Sequence, residues 1–181
     1  MTNNTNNGSA EILLAEDYVV DQELLMGVMA QNGLASKVHL ARDGEEALNA
    51  VFGRENGSNG RLPSGLPRLV LLDLKLPKVD GFEVLRILKT DPRTSAIPVV
   101  VISASNDPDD LCRCYREGAN SYVRKPMDLN KYEEVFMRVA SYWLRINEPL
   151  AAGSLWTETG TVSDVPDCYR APGCLELQSN E

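Results

Sequence analysis

The stretch Arg68–Phe82, RLVLLDLKLPKVDGF, constrains this chain most. Leu69, Val70, Leu71, Leu72 and then Leu74 are apolar at nearly every position, the pattern of a central strand covered on both faces rather than one half-exposed to water. Asp73 interrupts the run. A carboxylate in such surroundings is expensive to desolvate, and a fold keeps it only where a metal, a cation or a reaction compensates it. Pro77 and Gly81 follow as loop and turn signals. The strand therefore hands one acid to a loop at its carboxyl end, where open parallel sheets keep their sites.

The same arrangement recurs along the chain. Ile12-Leu13-Leu14-Ala15 reads as a short buried strand ending in the adjacent acids Glu16 and Asp17. Leu24, Leu25, Val28 and Met29 fall at helical spacing within 21–32, and Gly33 supplies the stop. A second strand is expected over 37–41, then a turn at Asp43-Gly44 whose acid caps a helix over 45–52. His39 lies inside that strand and is assigned no role. Residues 53–67 hold Gly53, Gly57, Gly60, Gly65, Pro63 and Pro67 and read as an exposed loop. After the central strand come a helix over 82–89, ended by Asp91-Pro92, and an apolar strand over 97–102 that terminates in Ser103. A helix over 107–117 closed by Gly118, a short strand over 121–124 and a long helix over about 128–146 complete the pattern. Alternating strands and helices predict a doubly wound α/β fold with right-handed crossovers.

Three strands thus end in Glu16-Asp17, Asp73 and Ser103, and a fourth in Lys125, so parallel pairing gathers three carboxylates, a hydroxyl and an ammonium at one rim. Oxygen donors without sulfur or imidazole favour a hard divalent ion, and Mg²⁺ takes a few carboxylates together with a phosphoryl oxygen. An ammonium and a hydroxyl beside them suit a phosphoryl group, whose oxygens want a cation, a donor and the metal at once. Asp73 is then the nucleophile that forms an acyl phosphate.

These positions are similar to those of a family. Residues 11–146 resemble the receiver domain of the two-component response-regulator family. The resemblance implies a flavodoxin-like, five-stranded parallel sheet of strand order 2-1-3-4-5 with helices on both faces. It also implies that Asp73 is the phosphoacceptor and that Glu16 and Asp17 hold Mg²⁺ together with the Lys75 backbone carbonyl. Ser103 fills the family's hydroxyl position, Lys125 its lysine position, Lys125-Pro126 its usual site of a cis peptide, and Tyr122 its aromatic switch position. The implied partner is a sensor histidine kinase or a phosphotransfer protein, which donates from phosphohistidine. The helix at 107–117, the fifth strand and the last helix then form the face that signals onward. Such a chain catalyses only its own phosphotransfer and slow dephosphorylation. Two departures stand out: Tyr18-Val19 where many relatives carry a polar residue and proline, and the cation Lys75 two residues beyond Asp73.

Composition bounds the remainder. With 18 lysines and arginines against 26 acids the net charge is −8, which favours neither nucleic acid nor an anionic membrane as partner. No stretch approaches the roughly 20 apolar residues of a membrane span, and residues 1–10 are too polar to pack, so a disordered leader and a cytoplasmic location are expected. Cys112, Cys114, Cys168 and Cys174 show no metal-site spacing and are expected as reduced thiols. In the last helix Leu129, Tyr132, Val135, Phe136, Val139, Tyr142, Trp143 and Ile146 exceed the roughly 100° stripe that one core contact needs. Tyr132, Phe136, Val139, Tyr142 and Trp143 are therefore expected to form a homodimer face, a feature the resemblance associates with regulators paired with phytochrome-type kinases. Residues 147–181 show no period and no basic cluster and are expected as a flexible or partner-ordered tail rather than a DNA-binding domain. Two alternatives stay open: a hydrolase that passes through an aspartyl phosphate, which usually carries a second acid where Lys75 stands, and a non-phosphorylated pseudo-receiver that serves as a binding adaptor.

Overall fold

The computed structural model describes residues 11–53 and 65–148. The expected leader, most of the glycine-rich loop, Cys168, Cys174 and the tail beyond residue 148 lie outside the described residues.

Strands β1 (Ile12–Ala15), β2 (Val38–Ala41), β3 (Leu69–Leu72), β4 (Val99–Ser103) and β5 (Ser121–Arg124) form one parallel sheet in the order β2-β1-β3-β4-β5. Helices α1 (Val19–Gln31), α2 (Gly44–Phe52), α3 (Gly81–Thr90), α4 (Pro108–Arg116) and α5 (Leu129–Ser141) connect or follow them. Because side chains alternate along a strand, each apolar run feeds two cores. Leu13, Ala15, Val70, Leu72, Val99 and Val101 pack with Ala47, Val51, Leu85, Leu88 and Cys114 of α2, α3 and α4. Ile12, Leu14, Leu69, Leu71, Val100 and Ile102 pack with Leu25, Val28, Met29, Tyr132 and Phe136 of α1 and α5. A large apolar side chain fully removed from water contributes roughly 1.5–3 kcal/mol, so both faces of the sheet must be covered for the fold to hold.

Local chemistry sets the helix ends. Asp43, Asp80 and Asp107 accept hydrogen bonds from the amides of Glu46, Glu83 and Asp109, capping α2, α3 and α4. Gly33 and Gly118 take φ of 67° and 93° just past α1 and α4, a region open to glycine. Cys112 is exposed and Cys114 buried, both as free thiols, and burial pushes the Cys114 thiol up to about 11.

Several boundaries differ from the sequence-based expectation. Helix α1 starts at Val19, two residues early, because Val19 and Val20 are exposed and give no periodic signal. Strand β4 starts at Val99 rather than 97: Pro98 has no amide to donate, and the Ile97 amide instead closes a turn on the Thr94 carbonyl at 2.9 Å. The last helix is not uniform. Regular α-helix stops at Ser141 and a π-helical turn, Tyr142–Ile146, follows, with the Asn147 amide bonded to the Tyr142 carbonyl at 2.8 Å.

The expected dimer face is corrected in part. Tyr132 is 3% and Phe136 0% exposed, because they share one side of α5 with Ala140 and that side lies on the sheet. Val139 and Trp143 are half-buried against the same core, while Tyr142 and Ile146 on the π turn are exposed. No described helix is long and apolar enough to cross a membrane.

The loop after β3 is clamped by two close approaches. A Cβ on Gly44 would lie 1.9 Å from the Val79 carbonyl oxygen, and one on Gly81 would lie 2.1 Å from that of Asp73. Gly44→Ala and Gly81→Ala should each lower the unfolding free energy by about 1–3 kcal/mol, although alanine is the better helix former. Urea titration of the full chain checks this, and a midpoint at or above the parent's would contradict it.

Candidate functional site

The strand register assembles the site. Ala15 pairs with Leu72, so Glu16 emerges beside Asp73, and Ser103 pairs with Arg124, so Lys125 emerges next to the end of β4. Backbone bonds extend this pairing one residue past each strand: the Glu16 amide reaches the Ala41 carbonyl at 3.0 Å, Asp73 that of Ala15 at 2.9 Å, and Lys125 that of Ser103 at 2.9 Å. The buried Gln22 amide group donates to the Glu16 carbonyl at 2.7 Å and holds the β1–α1 loop.

At the centre lies the Lys125 ammonium. Its Nζ donates to Glu16 Oε2 at 2.8 Å, Asp21 Oδ2 at 2.8 Å and Asp73 Oδ2 at 2.9 Å. Glu16, Asp73 and the Lys125 side chain are all buried. Asp73 Oδ1 also accepts from the Leu74 amide at 2.6 Å and the Lys75 amide at 3.4 Å. Burial pushes the Glu16 carboxyl up to about 7 against the pull of the Lys125 hydrogen bond, with Asp73 and Asp21 pushing in the same direction as burial. Burial works against the charge on Lys125, yet its bonds to Asp21, Glu16 and Asp73 prevail and hold it above the usual lysine range. The site is thus a buried cation shared among three carboxyl groups.

Glu16, Asp17 and Asp73 each offer an oxygen, and these oxygens lie within 4.8 Å of one another. Asp17 is exposed, so a hydrated ion has an approach from solvent. An all-oxygen set of carboxylates fits a hard divalent cation.

The other expected residues are placed as follows. Ser103 is buried at the same rim, and its Oγ accepts from the Ser105 amide at 3.1 Å. Half-buried Tyr122 donates to the Ser105 carbonyl at 3.2 Å, which ties β5 to the loop before α4. Lys75 contributes its amide to Asp73. The expected cis peptide is corrected: Lys125-Pro126 is trans, as is every described peptide bond. Trans is intrinsically favoured before proline by about 0.5–1 kcal/mol, and Lys125 reaches all three carboxylates from the trans bond.

Sequence reasoning missed Asp21, placing it only at the start of a helix. Its signal was present. Asp21 stands four and seven residues before Leu25 and Val28, both buried, so it lies in line with the core stripe of α1. An acid on a buried stripe calls for a cation, and Lys125 is that cation. It also missed the brace on the β3–α3 loop, where Lys78, at a left-handed φ of 63°, sets its Nζ 2.7 Å from Asp43 and 3.3 Å from Glu45.

Comparison with known proteins supplies independent findings. The family model for the response regulator receiver domain matches residues 12–136. A probable methanogenesis regulatory protein, FilR2 of Methanothrix harundinacea, is 40% identical over 136 residues, spanning 75% of this chain and 84% of that protein. Response regulator Rcp1 of Synechocystis is 35% identical over 133 residues, 74% of this chain and 88% of that one. Its Mn²⁺-bound structure superposes with a TM-score of 0.70, covering 77% of this chain and 98% of that one at 34% identity. The phosphorylated cyanobacterial phytochrome response regulator RcpA also gives a TM-score of 0.70 at 34% identity, over 77% of this chain and 97% of its own.

Removing the ammonium leaves buried carboxylates without compensation, so Lys125→Met should lower the unfolding free energy by about 3 kcal/mol or more. Added divalent cation should recover part of that loss, since it acts on the same oxygens. Denaturant titrations with and without the ion check this; a variant as stable as the parent would refute the arrangement.

Proposed function

Since the chain belongs to the response-regulator receiver family, we propose that it is a phosphorylatable switch that accepts a phosphoryl group on Asp73 and presents the result on its α4–β5–α5 face. One observation carries the reading: a single ammonium, Lys125, bonds Asp73 and Glu16 at the rim where the carboxylate oxygens of Glu16, Asp17 and Asp73 converge. A phosphoryl group carries its charge on peripheral oxygens, and stabilising those oxygens is most of what such transfer needs.

The donor on this reading is the phosphohistidine of a sensor kinase or a phosphotransfer protein. An Asp73 carboxylate oxygen attacks phosphorus in line, the P–N bond breaks as the P–O bond forms, and the imidazole leaves with the electron pair and takes up a proton. Lys125 donates to a non-bridging oxygen, and the Ser103 hydroxyl turns toward another. Mg²⁺, held by Glu16, Asp17, Asp73 and the Lys75 carbonyl, would supply charge neutralisation and orientation for the phosphoryl oxygens. Tyr122, bonded to Ser105 in the loop between β4 and α4, follows that loop. The exposed Leu111 and Tyr115 on α4 are then displayed differently to a partner. The chain acts on no external substrate; it promotes only its own phosphotransfer and slow dephosphorylation. Residues 11–146 form the receiver in this account, and 147–181 a tail.

The similarity to RcpA and Rcp1 makes a phytochrome-type kinase the partner we favour. A homodimer is part of the same proposal. It is supported by Tyr142 and Ile146, 48% and 66% exposed at the end of the last helix, while the buried Tyr132 and Phe136 are withdrawn from that face.

Incubation of the full chain with Mg²⁺ and acetyl phosphate should add one phosphoryl group to the intact mass of the wild type and none to Asp73→Asn. Equal gain in both would remove Asp73 as acceptor, and gain in neither would favour the binding adaptor. In light scattering after gel filtration, Tyr142→Glu with Ile146→Glu should shift the wild-type dimer to monomer; a monomeric wild type would end the dimer proposal.

A further inference from the structure

Tyr132 presents a feature that core packing leaves unexplained. Its ring lies in the α1–α5 core, tilted against Phe136 with centroids 4.5 Å apart. Its hydroxyl oxygen, however, is buried without a hydrogen-bond partner among the described residues. Burying an unpaired hydroxyl costs roughly 1–3 kcal/mol relative to a matched apolar group, and phenylalanine would fill the same space without that cost. A native group of this kind calls for a specific account.

The surroundings supply one. Burial raises the hydroxyl's pKa, and among the charges that act on it Asp21 is the largest, followed by Lys125, Glu16 and Asp73. Tyr132 packs in the same core as Leu25, one helical turn after Asp21 on α1, so the tyrosine and Asp21 both stand along the α1–α5 seam. Lys125 has three N–H groups, and all three are committed to Glu16, Asp21 and Asp73 at 2.8–2.9 Å. A phosphoryl group on Asp73 extends the residue outward and calls the ammonium to a new oxygen. Each present contact is already at ordinary hydrogen-bond length, so a displacement of about 1 Å takes at least one carboxylate beyond reach. Glu16 is 1% exposed, and its oxygen belongs to the set with Asp17 and Asp73 that would hold Mg²⁺, a set that leaves Asp21 out. Asp21, with 18% of its side chain exposed, sits on α1, which packs beside α5.

We propose that Tyr132 is a positioning residue: its hydroxyl takes over the Asp21 carboxylate when Lys125 turns to a phosphoryl group on Asp73, so that α5 senses the modification through its buried face. The inference rests on the reading of Asp73 as phosphoacceptor. The resting structure keeps the hydroxyl idle, and the phosphorylated one uses it. This route joins the site to α5 through α1, separately from the Ser103–Tyr122 side of the sheet.

The test uses the full chain with Mg²⁺ and beryllofluoride, a mimic of the aspartyl phosphate, and tyrosine labelled at the ring carbon that bears oxygen. The Tyr132 resonance is assigned by its absence in Tyr132→Phe. It should shift on beryllofluoride addition in the wild type and stay in place in Asp21→Asn. Tyr132→Phe should bind beryllofluoride about tenfold more weakly, the weight of a hydrogen bond to a charged acceptor. Its melting temperature without the mimic should equal or exceed that of the wild type, an outcome a merely structural tyrosine would not give. A Tyr132 resonance that ignores beryllofluoride, or wild-type affinity in Tyr132→Phe, overturns the proposal while phosphoryl gain on Asp73 still stands. No phosphoryl gain from acetyl phosphate overturns both.

Discussion

The interaction on which the site depends is the sharing of one ammonium among three carboxylates. Glu16 and Asp73 are buried at the ends of two adjacent central strands, where unpaired anions would repel each other in a poorly screened medium. Lys125 makes their proximity tolerable. Such a pair contributes little net stability compared with apolar residues of the same shape, but losing one member is severe. The cluster is therefore best understood as a functional arrangement that the fold supports. The partners come from β1, α1, β3 and the loop after β5, so the lysine also fixes how four segments meet at the rim.

The sheet supplies the rigidity that such an arrangement needs. Parallel register carries Glu16 and Asp73 out side by side, and full burial of β1, β3 and β4 on both faces leaves those strands no room to slip. Beyond the strands the loops are held by specific means: the Gln22 bond to Glu16, the close approaches at Gly44 and Gly81, and the Lys78 pairs with Asp43 and Glu45. Loops carry the reactive groups, and the strands and helix caps aim them. Tyr122 belongs to the same system, since it ties the edge strand to the loop that follows Ser103.

Much of this was legible in the residues. The uniformly apolar runs at Leu69–Leu72 and Val99–Ile102 identify buried strands, and the polar residue that ends each run identifies the rim. Asp43 was legible as a cap because capping is local chemistry. Asp21 was less visible: an acid in a first helical turn is ordinary, and its place on the buried stripe matters only once Lys125 lies opposite. The last helix misled for a related reason. Its apolar residues cover too wide an arc for one contact, and period alone does not say which of them meet the sheet, so Tyr132 and Phe136 were grouped with exposed Tyr142. The π-helical turn at Tyr142–Ile146 had no local signature at all.

The sequence by itself determined the alternation of strands and helices, the identity of the charged strand ends and the chemistry those groups can perform, because hydrophobic period and side-chain type are properties of neighbouring residues. Only the tertiary structure decided that Lys125 reaches Glu16, Asp21 and Asp73 together, across separations of 109, 104 and 52 residues. It alone decided that the Tyr132 hydroxyl is buried without a partner among the described residues. Those outcomes depend on strand register and on the rotation of α1 and α5 about their axes, and both are set by how two cores pack at once against a single sheet.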